Sequence, residues 1–170
     1  MKATRLVLLI LGSFCLAMPA WAQGKEYLKV IGDFFAADEI MVSKLSGYQM
    51  SAAELLWILP GRRPELHLAY SKTASGQSPA SRFSLIFGRP VFQSLQPCSK
   101  GKPFKVSHPQ LRIEGCAETV SLPVAGKTIQ VLNADATAVS ANGRVSCWLE
   151  AHQMSGQEVK SLLEGLAPLK

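Results

Sequence analysis

Polar and apolar positions alternate twice in the middle of the chain, at Leu66, Leu68 and Tyr70 and again at Phe83, Leu85 and Phe87. A period of two is that of a half-buried strand. Further on, Glu118–Val124 and Lys127–Asn133 flank Ala125-Gly126, and Ala136–Ala141 and Arg144–Glu150 flank Asn142-Gly143. Each pair reads as a hairpin, and Asn-Gly suits the two positive φ angles of a type I′ turn. Leu111 with Ile113 marks one more strand and Val91–Leu95 a short one, whereas residues 71–81 and 96–108 hold no period and read as loops.

Helical spacing replaces alternation at both ends. Ser155 with Glu158 three residues on forms a capping box, and Val159, Leu162, Leu163 and Leu166 make one apolar face behind it. Tyr27, Val30, Ile31, Phe34 and Phe35 recur at three and four residues, which predicts an N-terminal helix interrupted by Gly32. Glu39–Leu45 suits either a strand or a continuation of that helix. A second box, Ser51 with Glu54, precedes Leu55–Leu59 and stops at Pro60-Gly61. Its alanines and leucines favour a short helix, although Trp57 and Ile58 also suit a strand. The motif Gln-Met-Ser-x-x-Glu occurs at both boxes, at residues 49–54 and 153–158, and reads as two strand-to-helix junctions, not as a repeat. The expected fold is therefore α+β. A largely antiparallel curled sheet or open barrel of about six strands is flanked by N-terminal helices and closed by the C-terminal amphipathic helix.

The first 22 residues change where this fold is expected to work. Lys2 and Arg5 precede an apolar run from Leu6 to Ala17, and Ala20-Trp21-Ala22 supplies small residues at −3 and −1 of a cleavage site. Residues 1–22 thus read as a cleaved signal peptide and 23–170 as a single domain, with the periplasm as first expectation and the exterior as second. The run is shorter than the roughly 20 residues of a membrane-spanning helix, so no transmembrane segment is expected in the mature chain. Phe14 before Cys15 argues against lipidation.

Charge adds an asymmetry. Between Arg62 and Arg112 nine basic residues face the single acid Glu65, while the rest of the mature chain carries seven basic and eleven acidic residues. Such separation steers anionic partners to one side of a molecule. In this compartment the expected partner is a protein with an acidic surface or an anionic envelope component, not nucleic acid.

Three cysteines, Cys98, Cys116 and Cys147, remain after the leader. Cys147 lies between Val145 and Leu149 on an alternating strand and so points inward with them, which favours a Cys98–Cys116 disulfide; Cys116–Cys147 is the alternative pairing. No pair has the CxxC spacing of a thiol-exchange site.

Candidate chemistry is sparse. His67, His108 and His152 are far apart and have no metal-ligand neighbours at usable spacing, no Gly-x-Ser-x-Gly elbow occurs, and Cys147 and His152 sit five residues apart across a strand end. No catalytic, cofactor-binding or metal residues are assigned, and no cofactor is expected. The segment from Cys98 to Pro109 gathers Lys100, Lys102, Lys105 and His108 around Phe104. Held by the disulfide, it reads as a displayed basic loop with Phe104 as anchor, extended by Arg62 and Arg63 if their turn lies at the same end of the sheet. Alternatively, Phe104 folds back onto the core. The leading expectation is a non-enzymatic periplasmic binding or inhibitory protein, of the kind that confers immunity, engaging an acidic cleft through this loop. An envelope-assembly or secretion accessory protein with an apolar groove lined by Trp57, Phe83 and Phe87 is the alternative, followed by a hydrolase with a dispersed site.

Overall fold

A computed structural model describes residues 31–58, 63–75, 80–89, 98 and 101–169. Residues 1–22 read as a leader, the first four residues of the Tyr27–Phe35 stretch, the Pro60-Gly61 turn with Arg62, the Val91–Leu95 segment and Lys100 lie outside the described residues. In chain order the elements are a 3₁₀ turn at Ala37–Glu39, then β1 (Met41–Ser43), β2 (Gln49–Leu56), β3 (Glu65–Lys72), β4 (Ser81–Phe87), β5 (Lys102–Ser107), β6 (Leu111–Val124), β7 (Lys127–Ser140), β8 (Ser146–Met154), α1 (Gly156–Glu164) and β9 (Leu166–Pro168). Seven strands form one open sheet in the order β2-β3-β4-β8-β7-β6-β5, and β1 pairs with β9 in a separate ribbon. Every ladder is antiparallel.

Register explains the core. One row across the sheet runs Leu55, Leu66, Phe87, Cys147, Ala138, Ile113, Val106, and the next runs Ala53, Leu68, Leu85, Leu149, Ala136, Gly115, Phe104. Large side chains occupy β3 and β4, where Tyr70 stacks on Phe83 at 4.5 Å. On β7 the inward positions are Ala134, Ala136 and Ala138, all buried. These small residues leave room for α1, which contacts β5, β7 and β8 and buries Val159, Leu162 and Leu163. The helix starts at the expected capping box: Ser155 Oγ accepts from the Glu158 N–H, and Glu158 accepts from the Ser155 N–H at 2.8 Å.

The second box does not make a helix. Gln49–Leu56 is an edge strand, because pairing Ala53 and Leu55 with Leu68 and Leu66 extends the core, which outweighs the helical preference of Ala and Leu. Ser51 instead sits at a bulge in the β2–β3 ladder, with its hydroxyl on the Ala69 carbonyl. Only the second Gln-Met-Ser motif is therefore a strand-to-helix junction. Among the described N-terminal residues, Ile31 and Gly32 are helical and the rest of that region is a 3₁₀ turn and β1.

The hairpins also differ from expectation. What read as four short strands is β6 and β7, two strands of 14 residues, followed by β8. The type I′ turn lies at Ala125 (φ 49°) and Gly126 (φ 77°), inside the Val124–Lys127 pair. Asn142-Gly143 forms a wider loop closed by Ser140 and Val145, in which the Asn142 carbonyl oxygen accepts from the Ser140 hydroxyl and the Arg144 N–H. Asn142 works through its side chain, not through a left-handed backbone.

A non-glycine residue in the left-handed region costs about 1 kcal/mol. Ala125→Asn is expected to raise stability by about 0.5–1 kcal/mol, read as a higher urea midpoint at unchanged slope. An unchanged or lower midpoint contradicts the turn assignment.

Candidate functional site: two unlike edges of one sheet

An open sheet has two edges, and here they carry opposite chemistry. At one end lies β5, in the region read as a loop. Its alternation is concealed by Pro103 and the lysines, yet Phe104 and Val106 face inward on Gly115 and Ile113. Pro103 is compatible with an edge position, where the missing N–H need not join a ladder. Phe104 is half-buried against the core, over Gly115. It anchors the strand to its own sheet and is not displayed.

The lysines divide between the faces. Lys102 shares the inward side with Phe104, while Lys105 lies on the outward side with Arg112 and Glu114. Arg112 Nε is 2.9 Å and Lys105 Nζ 3.7 Å from the same Glu114 oxygen, so one carboxylate serves two cations and this side of the edge remains net positive. Lys105 is 80% exposed. Beside Pro103, Cys116 is bonded to Cys98, with the Cα atoms 5.7 Å apart. The bridge closes 18 residues of sequence separation, which stabilises the fold by about 3 kcal/mol on loop entropy. Cys147 is free and fully buried, and burial pushes its thiol up to about 12.

Arg63 is placed elsewhere. It pairs with Glu39 and stacks its guanidinium 3.8 Å from the Phe35 ring centre, tying the 3₁₀ turn to the start of β3. Four strands separate β3 from β5, so Arg63 does not extend the Lys102–Lys105 patch along the sheet.

The opposite edge is β2. Ala52 and Ala53 occupy its middle, and its C-terminal end leads into Trp57 and Ile58, 57% and 61% exposed. Phe34 packs edge-on against Trp57 at 5.6 Å. Of the three groove residues expected from sequence only Trp57 is accessible, because Phe83 and Phe87 are fully buried in the core.

The outward face between the edges carries a polar network beside the buried Ile86. Arg89 reaches Glu65 at 3.1 Å and Glu150 at 3.5 Å, and His67 Nε2 lies 2.9 Å from Glu65. Burial raises the Glu65 carboxyl, but hydrogen bonds from Arg89 and His67 outweigh it and hold the group low. Asp135 stands opposite Glu150, and its carboxyl is raised by burial and by that neighbouring charge, with His152 opposing. His108 bridges backbone: Gln110 N–H donates to Nδ1 at 3.2 Å, which leaves Nε2–H to donate to the Leu166 carbonyl at 3.0 Å. The histidines are thus distributed over three places, and among the described residues no group of His, Cys, Asp and Glu forms a metal-binding cluster. An open groove of about 420 Å³ between Met41, Leu111 and Val145 is crossed by the Arg144–Asp38 pair at 3.1 Å.

No family model, curated protein or solved structure matches this chain.

A Cβ on Gly115 would stand 2.4 Å from the Asp135 carbonyl and 2.6 Å from the Phe104 ring. Gly115→Ala is expected to destabilise the protein by about 2–3 kcal/mol, as overpacking does, and to loosen β5 first, seen as faster amide exchange at Lys102–Ser107 than elsewhere. Uniform exchange rates would show that Phe104 is not what fastens the edge.

Glu39, lowered mainly by the Arg63 hydrogen bond, and Glu65 both sit below the ordinary value of 4.5 in the fold. Their contribution is complete above the unfolded value and is lost as pH falls through the lower folded value. Stability is expected to decline on acidification below about pH 4.5, with a shallower decline in Glu65→Gln, measured by urea denaturation at several pH values.

Proposed function

We propose that the mature chain is a non-enzymatic exported binding protein, of inhibitory or immunity type, that inserts its basic β5 edge into an acidic cleft of a partner in the periplasm. One observation carries the reading. Lys102 on the inward side and Lys105 with Arg112 on the outward side bracket a strand that is the last of its sheet among the described residues and is fastened by Cys98–Cys116. Cations on both faces of an edge strand meet both walls of a cleft that admits the edge, whereas a flat acidic surface meets only one. The disulfide and the Phe104 contact keep the edge ordered before binding, which limits the entropy lost on association.

The leader-like residues 1–22 and the disulfide support an oxidising, exported setting. Arg63, Lys72 and Arg89 are paired with Glu39, Glu158 and Glu65 away from β5, so the case for an anionic partner rests on Lys102, Lys105 and Arg112 at the β5 edge. Rim charges of this kind act mainly on association rate and salt dependence.

The Lys102→Glu, Lys105→Glu double variant is expected to stay folded, with a somewhat lower melting temperature because residue 105 stands opposite Glu114, and to lose a partner that the wild-type mature chain captures from envelope extract at low salt and releases at high salt. Reversal of two rim cations should weaken that complex by at least about tenfold. Retention of the same partner at the same salt would contradict the reading.

A further inference from the structure

The two edges differ in how they treat an incoming strand. β5 carries Lys102, Pro103 and Lys105, side chains that discourage strand addition. From Ala52 to Ile58 the β2 edge has neither proline nor a basic residue, and its only charge is Glu54. Its one irregularity is the bulge at Ser51, before this run begins. The run is also uneven in size, with two alanines at its start and the exposed Trp57 and Ile58 at its end.

We infer that the β2 edge is occupied by a second copy of this chain, paired antiparallel about a two-fold axis through Leu55. Residues directly opposite in an antiparallel pair share a face of the sheet, so a two-fold axis between identical strands passes through a residue and not between two. An axis at Glu54 sets two carboxylates against each other, which is destabilising. An axis at Ala53 brings the Ser51 bulge into the ladder opposite the partner's Leu55. An axis at Leu56 sets Ala52 opposite the partner's Pro60, which has no N–H to give to a ladder. The axis at Leu55 avoids all three faults. Ala53 then lies opposite the partner's Trp57, Ala52 opposite the partner's Ile58, and Glu54 opposite the partner's Leu56. Each small residue receives a large one, and the exposed apolar end of each copy covers the alanine end of the other.

The arrangement closes on itself. Among the described residues the seven-stranded sheet has one unguarded edge, and pairing consumes it, so the sheet does not grow into a filament. The two β5 edges are left at the far ends of one continuous sheet, which makes the dimer bivalent for any partner of β5.

Sedimentation velocity of the mature chain, residues 23–170, over a wide concentration range is expected to show a monomer–dimer equilibrium, and Trp57→Lys, at an exposed position, is expected to give a folded monomer. Leu55→Cys should cross-link to a covalent dimer with a mild oxidant, the two thiols losing two protons and two electrons to it, since paired Cα atoms lie about 4.5–5.5 Å apart. Ser51→Cys should not. Cys98 and Cys116 are already bonded and Cys147 is buried, so none of them competes. Monomer at every concentration, a dimer that survives Trp57→Lys, or cross-linking at Ser51 in place of Leu55 overturns the inference. Should Leu55→Cys fail to fold, the Trp57→Lys comparison decides.

Discussion

The pairing of β4 with β8 is the contact on which the rest of this structure depends. It joins a meander of β2, β3 and β4 to a second meander of β8, β7, β6 and β5, and among the described residues no other ladder connects the two. Across it Phe83 meets Ala151, Leu85 meets Leu149 and Phe87 meets Cys147, all of them buried almost completely. The strands are far apart in sequence, so closing this ladder costs loop entropy that only the burial of these side chains offsets. One consequence concerns β5. It follows β4 in the chain but lies beyond β8, β7 and β6, about 19 Å away at about 4.8 Å per strand. The disulfide at Cys98 secures the far end of that crossover to β6.

From the same junction follow the positions of the two edges and of the helix. Small inward residues on β7, Ala134, Ala136 and Ala138, create the depression that α1 fills, while bulky ones on β3 and β4 build the other half of the core. The helix leads straight into β9, whose Leu166 is buried and whose backbone is held by His108 and by the β1 ladder. Both termini of the described chain are thereby packed over one face. The opposite face carries the Glu65, Arg89 and Glu150 network around the buried Ile86, and among the described residues β2 and β5 end the sheet.

How much of this was legible in the sequence depends on whether a local signal had a tertiary competitor. Ser155 with Glu158 and Ser51 with Glu54 are the same capping signal. The first starts a helix, because an amphipathic face follows it and finds β7 and β8; the second is overridden, because Ala53 and Leu55 gain more by pairing with β3. The strands with large alternating residues, β3 and β4, stood out, and the Cys98–Cys116 pairing followed from the inward position of Cys147. β5 did not stand out, since Pro103 and the lysines mask the alternation of Phe104 and Val106. The length of β7 was obscured by alanines that look like a break until a helix is seen to need the space. At the candidate site the basic residues were visible as a count along the chain. Their division between two faces of one strand was not, because the segment read as a loop and only a strand sends residues three apart to opposite faces. The unguarded character of β2 was invisible as long as the segment read as a helix.

The most direct test of this architecture is native-state hydrogen exchange of residues 23–170, followed amide by amide. If the β4–β8 ladder joins two meanders into one cooperative unit, the amides of Phe83, Leu85, Leu149 and Ala151 exchange only through global unfolding, with one free energy shared across β3, β4, β7 and β8. Exchange of β3 and β4 as a separate unit, well before β7 and β8, would contradict it and would mean that the two edges belong to independently opening halves.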